Sequence, residues 1–237
     1  MKPGFIVSFF VSAIVLVSCQ KEASLETGSG GNGGGNTGNG DYFPRTANSN
    51  WSYEYDDNPD DTVYITAISP TVNLSGNTYN VFIQTYNASQ GYDSSGYYRK
   101  SGSNYYQWID VGNYIGFDNP LWVEEIFLKD NLAAGGSWTS DAYTGSVQGV
   151  GSFTIRIKNI IIKKDEAVTV NNTVYDSTIV VEQRLEQNTG GNWVDISQGV
   201  GTLRSYYAKN IGLIQQELYD GGNNLASQMQ IRRYQVY

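Results

Sequence analysis

Period-two alternation is the feature that most limits what this chain can fold into. In SNWSYEYDD, Trp51, Tyr53 and Tyr55 fall on one face of an extended segment. Val63, Ile65 and Ala67 alternate with Tyr64 and Thr66, and Phe153, Ile155 and Ile157 alternate with Thr154, Arg156 and Lys158. Ile231 and Tyr234 close the chain in a similar run. This period, over short segments rich in Val, Ile, Thr and Tyr, marks half-buried strands. Turn residues separate the runs: Asp57-Asn58-Pro59, Ser75-Gly76-Asn77, Ser101-Gly102-Ser103-Asn104, Asn171-Asn172 and Asp220-Gly221-Gly222-Asn223. Asn and Gly there supply the positive φ of tight hairpins. Strands joined by short turns pair antiparallel. The expected fold is therefore all-β, an antiparallel meander forming a curved sheet, half-barrel or barrel.

Two segments leave a choice. Asn119–Leu132 carries a helix-type start, with Asn119 as cap, Pro120 in the first position and Glu124-Glu125 in the first turns. Its residues also divide between two strand faces, and strand is the favoured reading. Ile160-Ile161-Ile162 is continuously apolar, which fits either a strand covered on both sides or a bulge.

Three short segments recur in the same order. Asn50-Trp51-Ser52 parallels Ser137-Trp138-Thr139, Asn77-Thr78-Tyr79-Asn80 parallels Asn172–Asp176, and Tyr97–Lys100 parallels Tyr206–Lys209. The offsets Trp51/Trp138, Tyr79/Tyr175 and Tyr98/Tyr207 are 87, 96 and 109, so a second copy would carry insertions. Duplication predicts two meanders of about 90 residues, packed together or joined in one curved sheet.

The start of the chain reads as an address. Lys2 precedes the apolar run Phe5–Val17, which is too short to span a bilayer and fits the core of a secretory leader. Leu16-Val17-Ser18-Cys19 resembles a bacterial lipobox. The resemblance implies a lipoprotein signal peptide over 1–18 and acylation of Cys19, which is the single Cys of the chain. Gln20-Lys21-Glu22 resembles the short signal that sends some Gram-negative lipoproteins to the outer face of the outer membrane. Residues 28–40 contain eight Gly among Ser, Asn and Thr and bury nothing, so 19–40 is expected to be the lipidated Cys and a disordered tether. Such a coil has an end-to-end distance of roughly 25 Å. Residues 41–237 form a single antiparallel β domain, long enough for one well-buried core.

Composition then excludes chemistry. With no His and one Cys, there is no Ser-His-Asp triad, Cys-His pair, intramolecular disulfide or thiolate metal cage. Loss of Lys2 with the leader leaves 14 basic against 23 acidic side chains, a net of −9, a poor partner for nucleic acid or anionic lipid surfaces. No cofactor is expected. The membrane partner is reached through the lipid on Cys19.

The opening Asp41-Tyr42-Phe43-Pro44, followed by Asn50-Trp51-Ser52-Tyr53, resembles a family of uncharacterised bacterial surface lipoproteins. Glu125–Asn131 with Gly135–Trp138, and Tyr207-Ala208-Lys209-Asn210-Ile211-Gly212-Leu213, resemble further family segments. Asn210 and Ile211 depart from the usual Gly-Val there, and Asn tolerates the left-handed backbone that Gly adopts. The resemblance implies an antiparallel β domain on a lipid anchor and transfers no catalytic residue.

Several constellations remain. Tyr97, Tyr98, Tyr105, Tyr106 and Trp108 flank the Gly102 turn and are the candidate ligand-binding aromatics, suited to glycan or peptide stacking. Asp56–Asp61 begins like a calcium loop but lacks its Gly and its bidentate Glu, and reads as a solvated turn with no metal. Glu124, Glu125, Asp110 and Asp118 are the carboxylates open to a His-independent glycosidase. Asp61-Thr62-Val63 and Asp176-Ser177-Thr178 resemble a short O-glycosylation signal. The expected role is non-catalytic binding or envelope interaction on the outer membrane. The alternatives are a carrier with an apolar cavity lined by Trp51, Tyr53 and Ile155, and a glycosidase.

Overall fold

The computed structural model describes residues 40–86 and 92–237. The expected signal peptide (1–18), the acylated Cys19 and the tether as far as residue 39 lie outside the described residues.

Six strands follow one another in the first half: β1 (Asn50–Tyr55), β2 (Asn58–Leu74), β3 (Asn77–Tyr86), β4 (Tyr92–Ser101), β5 (Asn104–Asp110) and β6 (Trp122–Lys129). Each pairs antiparallel with the next. The reversals at Ser75-Gly76 and Gly102 fall where expected, with positive φ at all three residues. The first reversal is instead at Asp56-Asp57, both at positive φ, and Asn58 and Pro59 of the expected Asp57-Asn58-Pro59 turn already lie in β2. The 119–132 segment is strand over Trp122–Lys129, as its face division favours. A five-residue helix, α1 (Val111–Ile115), links β5 to β6, capped by the Asp110 carboxylate, which accepts from Asn113 N.

The second half holds β7 (Ser137–Thr139), β8 (Tyr143–Val147), β9 (Gly151–Val170), β10 (Thr173–Thr189), β11 (Asn192–Asp195), the single turn α2 (Ser197–Val200), β12 (Thr202–Ala208), β13 (Gly212–Tyr219) and β14 (Leu225–Gln235). Along the sheet the order is β6-β5-β4-β3-β2-β1-β14-β13-β12-β10-β9-β7, with β8 beside β9 and β11 beside β10. The first and last strands therefore meet mid-sheet, from Asn50↔Gln235 to Tyr55↔Met229.

Setting β8 and β11 aside, each half is a six-strand meander in the same order. The three sequence echoes fall on matching strands: Trp51 and Trp138 on the first, Tyr79 and Tyr175 on the third, Tyr98 and Tyr207 on the fourth. β8 lies between the first and second strands of the later half, and β11 with α2 lies between its third and fourth. These additions account for the drift of the offsets from 87 through 96 to 109. Ile162 is skipped where Val180↔Lys163 gives way to Val181↔Ile161, so the Ile160–Ile162 run is a bulge.

The sheet curls until its two halves share a core. Tyr105, Phe127 and Leu128 pack with Trp138, Ile161, Ile179, Val181 and Tyr207. The free edges, β6 and β7, approach without forming a ladder among the described residues, so the sheet is not closed. Segment 41–45 enters the curled sheet at one end. Phe43 sits among Phe82, Tyr98 and Phe127 at centroid distances of 5.5, 4.8 and 5.1 Å. Asp41 O accepts from Asn210 N, and Tyr42 Oη donates to Asp165 Oδ1 at 2.8 Å.

Candidate ligand cavity

The Tyr-rich hairpin forms where its Gly102 turn placed it, but its five aromatics do not make one platform. Adjacent residues on a strand point to opposite faces. Tyr98 points inward to Phe43 and Phe82, and Tyr105 is wholly buried. Tyr105 Oη donates to Asp130 at 2.9 Å and accepts from Tyr42 N. Tyr97, Tyr106 and Trp108 face outward, each half-buried. The β2–β3 hairpin, irregular between Ile68 and Val72, bends over this outer face. Its Tyr79 meets Trp108 edge-on at 6.3 Å, and the Arg99 guanidinium covers Tyr106 at 3.9 Å. A flat stacking surface is thus replaced by two occupied faces.

The carboxylates are likewise separated. Glu124 faces outward into a bidentate contact with Arg99 (Nε–Oε1 2.5 Å, Nη2–Oε2 2.7 Å) and accepts from Tyr79 Oη. The guanidinium and phenol hold its pKa below the ordinary value even though burial opposes them. Glu125 faces inward, 2% exposed, and accepts from Tyr143 Oη at 2.5 Å. Burial pushes its pKa up to about 7. Asp110 caps α1, and Asp118 accepts from Ser146 Oγ and Gln148 N. Asp56 accepts from Gln228 N and Ser227 Oγ, pinning its turn to β14. Of the two O-glycosylation matches, Thr62 is buried in β2 and Ser177 is half-exposed.

The concave side of the sheet holds the more coherent site. A cavity of about 220 Å³ lies against β1, β3, β4, β13 and β14. Trp51, Tyr53, Phe82, Tyr98 and Met229 give it aromatic and thioether walls. Phe43 and Pro44 close one end, and Tyr55 with the exposed Tyr86 stands at the other. The polar ends of its rings are tied to the backbone: Trp51 Nε1 donates to Ile211 O at 2.7 Å and Tyr53 Oη to Leu213 O at 2.9 Å. Trp51 stacks on Phe82 at 5.8 Å and 23°. Burial raises the pKa of Tyr53 and Tyr98, so both phenols stay neutral. At Gly212, where the indole meets β13, the backbone φ of +107° favours glycine, although a Cβ there would find only ordinary contacts with Pro44 and Trp51.

A second cavity of about 190 Å³ adjoins it, under β5, α1, β9, β10 and β12. Its walls mix Phe127, Ile157 and Tyr207 with Gln107, Gln183 and Ser205. Gln216 lines both cavities, and its Nε2 donates to Ser205 Oγ at 3.1 Å. Trp51 and Tyr53 line a cavity as the carrier reading expects. Ile155 does not, because it packs in a separate cluster with Phe117 and Tyr143. The interior glutamines escaped the sequence reading because Gln is ordinarily a surface residue. The signal was there in Tyr105-x-Gln107-x-Ile109, where Gln107 alternates in phase with two apolar residues.

No family model matches this chain, and no curated protein does. Two solved structures are similar to it. One is a candidate lipoprotein from Parabacteroides distasonis, with a TM-score of 0.50 and 13% identity over 83% of this chain and 99% of that one. Another is a candidate exported protein with a YmcC-like fold from Bacteroides fragilis, with a TM-score of 0.49 and 14% identity over 83% and 99%. The first likeness is one of fold: an antiparallel sheet of this architecture recurs in the Parabacteroides protein.

Proposed function

We propose that this protein is a lipid-anchored lipoprotein of the outer membrane, held through Cys19 and facing the cell surface, whose domain binds a small apolar group without catalysis. The observation that carries the binding role is the aromatic cavity of about 220 Å³ beside Trp51 and Phe82. An apolar cavity of about 150 Å³ is enough to hold benzene, so this one takes a single ring with a short chain. Its indole and phenol dipoles are already satisfied by Ile211 O and Leu213 O, which leaves ring faces for the ligand. The anchor rests on Leu16–Cys19 and the Gly-rich segment behind it.

Toluene is the direct probe of the cavity. It is expected to raise Tm and quench Trp51 fluorescence, and the cavity-filling Leu213→Phe is expected to weaken binding about tenfold. Absence of any toluene-dependent shift overturns the binding role. For the anchor, Cys19→Ala is expected to abolish incorporation of labelled palmitate and to release the domain from intact cells. Unchanged labelling overturns that part.

A further inference from the structure

Two cavities side by side need not serve one ligand, but three features join these. Gln216 lines both of them. The remaining partition is two layers of rings in contact: Phe43 and Tyr98 line the first cavity, Phe127 and Tyr207 the second, with Phe43–Phe127 at 5.1 Å and Tyr98–Phe127 at 5.8 Å. Both cavities also reach the same end of the curled sheet, where Tyr86 and Tyr114 are exposed.

Their walls differ in a directed way. The first is aromatic. The second brings Gln107 from β5, Gln183 from β10 and Ser205 from β12 to one place, and Tyr114 stands over them from α1. Beside Gln183, its cross-strand partner Asn159 on β9 is wholly buried; its Oδ1 accepts from Gln183 Nε2 at 2.9 Å, and its Nδ2 has no protein partner. Gln107, Gln183 and Gln216 thus bring three side-chain amides to the wall of this cavity, and amides shielded from water call for hydrogen-bonding partners.

Charge settles the chemistry of that group. The chain has 38 Asp, Glu, Lys and Arg, yet none lines either cavity. An ion there would leave water with no counter-charge on the wall, which protein interiors rarely tolerate. Glu125, the cross-strand partner of Gln107, does not line the second cavity either, and its carboxyl is occupied by Tyr143.

Resting on the binding role proposed above, we infer that the two cavities are halves of one site, and that its ligand is a single uncharged amphiphile. Its apolar end lies between Trp51 and Phe82. Its other end is a neutral amide or hydroxyl group, bonded by Gln107, Gln183 and Gln216, and the molecule passes Gln216 between them.

The test uses the full chain in nanodiscs and a set of phenyl compounds: toluene, butylbenzene, and phenylalkyl amides with two to six methylenes between ring and amide. The carboxylate and ammonium analogues complete the set. One amide of the series is expected to bind about tenfold tighter than butylbenzene and about tenfold tighter than either ion. Gln183→Leu and Gln107→Leu are each expected to remove that advantage while leaving butylbenzene affinity within about twofold. Gln183→Met serves the same comparison if the Leu variant does not fold. Three results overturn the inference and leave the simple apolar site standing: toluene and butylbenzene bind but no amide binds tighter; the variants keep the amide advantage; or an ion binds tightest. Failure of every compound, toluene included, overturns the binding role itself.

Discussion

The Trp138 indole N–H donates to the Ile126 carbonyl at 2.9 Å, so one aromatic side chain bridges the two free edges of the curled sheet. At the matching junction of the two halves, β1 and β14 share a ladder six residues long on the β1 side. Between β6 and β7 the bridge is this indole, helped nearby by Asp118 N donating to Ser146 O at 2.8 Å. Trp138→Phe keeps most of the ring and removes the donor, leaving a shielded carbonyl unmatched. The expected cost is about 1–2 kcal/mol in urea denaturation. Hydrogen exchange is expected to quicken at the β6 amides and to stay unchanged along β1 and β14.

Arg99 and Glu124 set a second test. The pair is bidentate, about four-fifths covered on each side, and roofed by Tyr79 and Tyr106. Removing the guanidinium leaves a carboxylate held by Tyr79 and Asn77, in surroundings that disfavour its charge. Arg99→Met is expected to destabilise by about 2 kcal/mol, below the range for a fully buried pair because water still reaches both groups. The double variant Arg99→Met with Glu124→Gln is expected to recover part of that loss, and a thermodynamic cycle from the four midpoints checks it.

Much of this architecture was legible in the chain. Trp51 and Tyr53 on one face, Ile155 and Ile157 on another, and the turns at Gly76, Gly102 and Asn171-Asn172 are all local facts, and local facts determine strands and reversals. Facing was harder. Tyr97-Tyr98 and Tyr105-Tyr106 offer an aromatic to each side of the hairpin, so alternation names two faces without saying which is inside. The inside is chosen by distant residues: Phe43 enters against Tyr98, and Tyr79 arrives from β3 to meet Trp108 on the other face. The cavity followed the same logic. Trp51 and Tyr53 were readable as buried, but their place on a cavity wall depends on Met229 and Gln216 arriving from the other end of the chain.

Phe43 tests the role of segment 41–45. Its ring touches four other rings, counting Tyr207 at 6.4 Å, and stands in the partition between the cavities. Phe43→Ala is expected to cost about 3 kcal/mol, through lost burial and the void left behind. It also opens the partition, so the variant is expected to bind bulkier bicyclic probes that the unchanged protein takes weakly. Calorimetric titration with naphthalene against toluene measures the change.

Glu125 gives the pH dependence its sign. Its carboxyl is inward-facing, 2% exposed and raised to about 7 by burial, against an ordinary value of 4.5. A carboxyl with a raised folded pKa binds its proton more tightly in the folded state than in the unfolded one. Between pH 4.5 and 7 the unfolded chain has already released that proton while the folded domain keeps it, so stability falls as pH rises. Below 4.5 both states are protonated and the penalty is absent; above 7 both are ionised and it is fully present, of order 3 kcal/mol. Glu124 runs the other way, because its pKa is lowered and its contribution is lost as pH falls below the ordinary carboxylate range. Glu125→Gln keeps an acceptor for Tyr143 Oη and removes the titration. The variant is expected to match the parent near pH 4.5 and to exceed it in urea midpoint at pH 8. Equal midpoints for the two proteins at pH 8 would show that the Glu125 carboxylate is not held in a desolvated site.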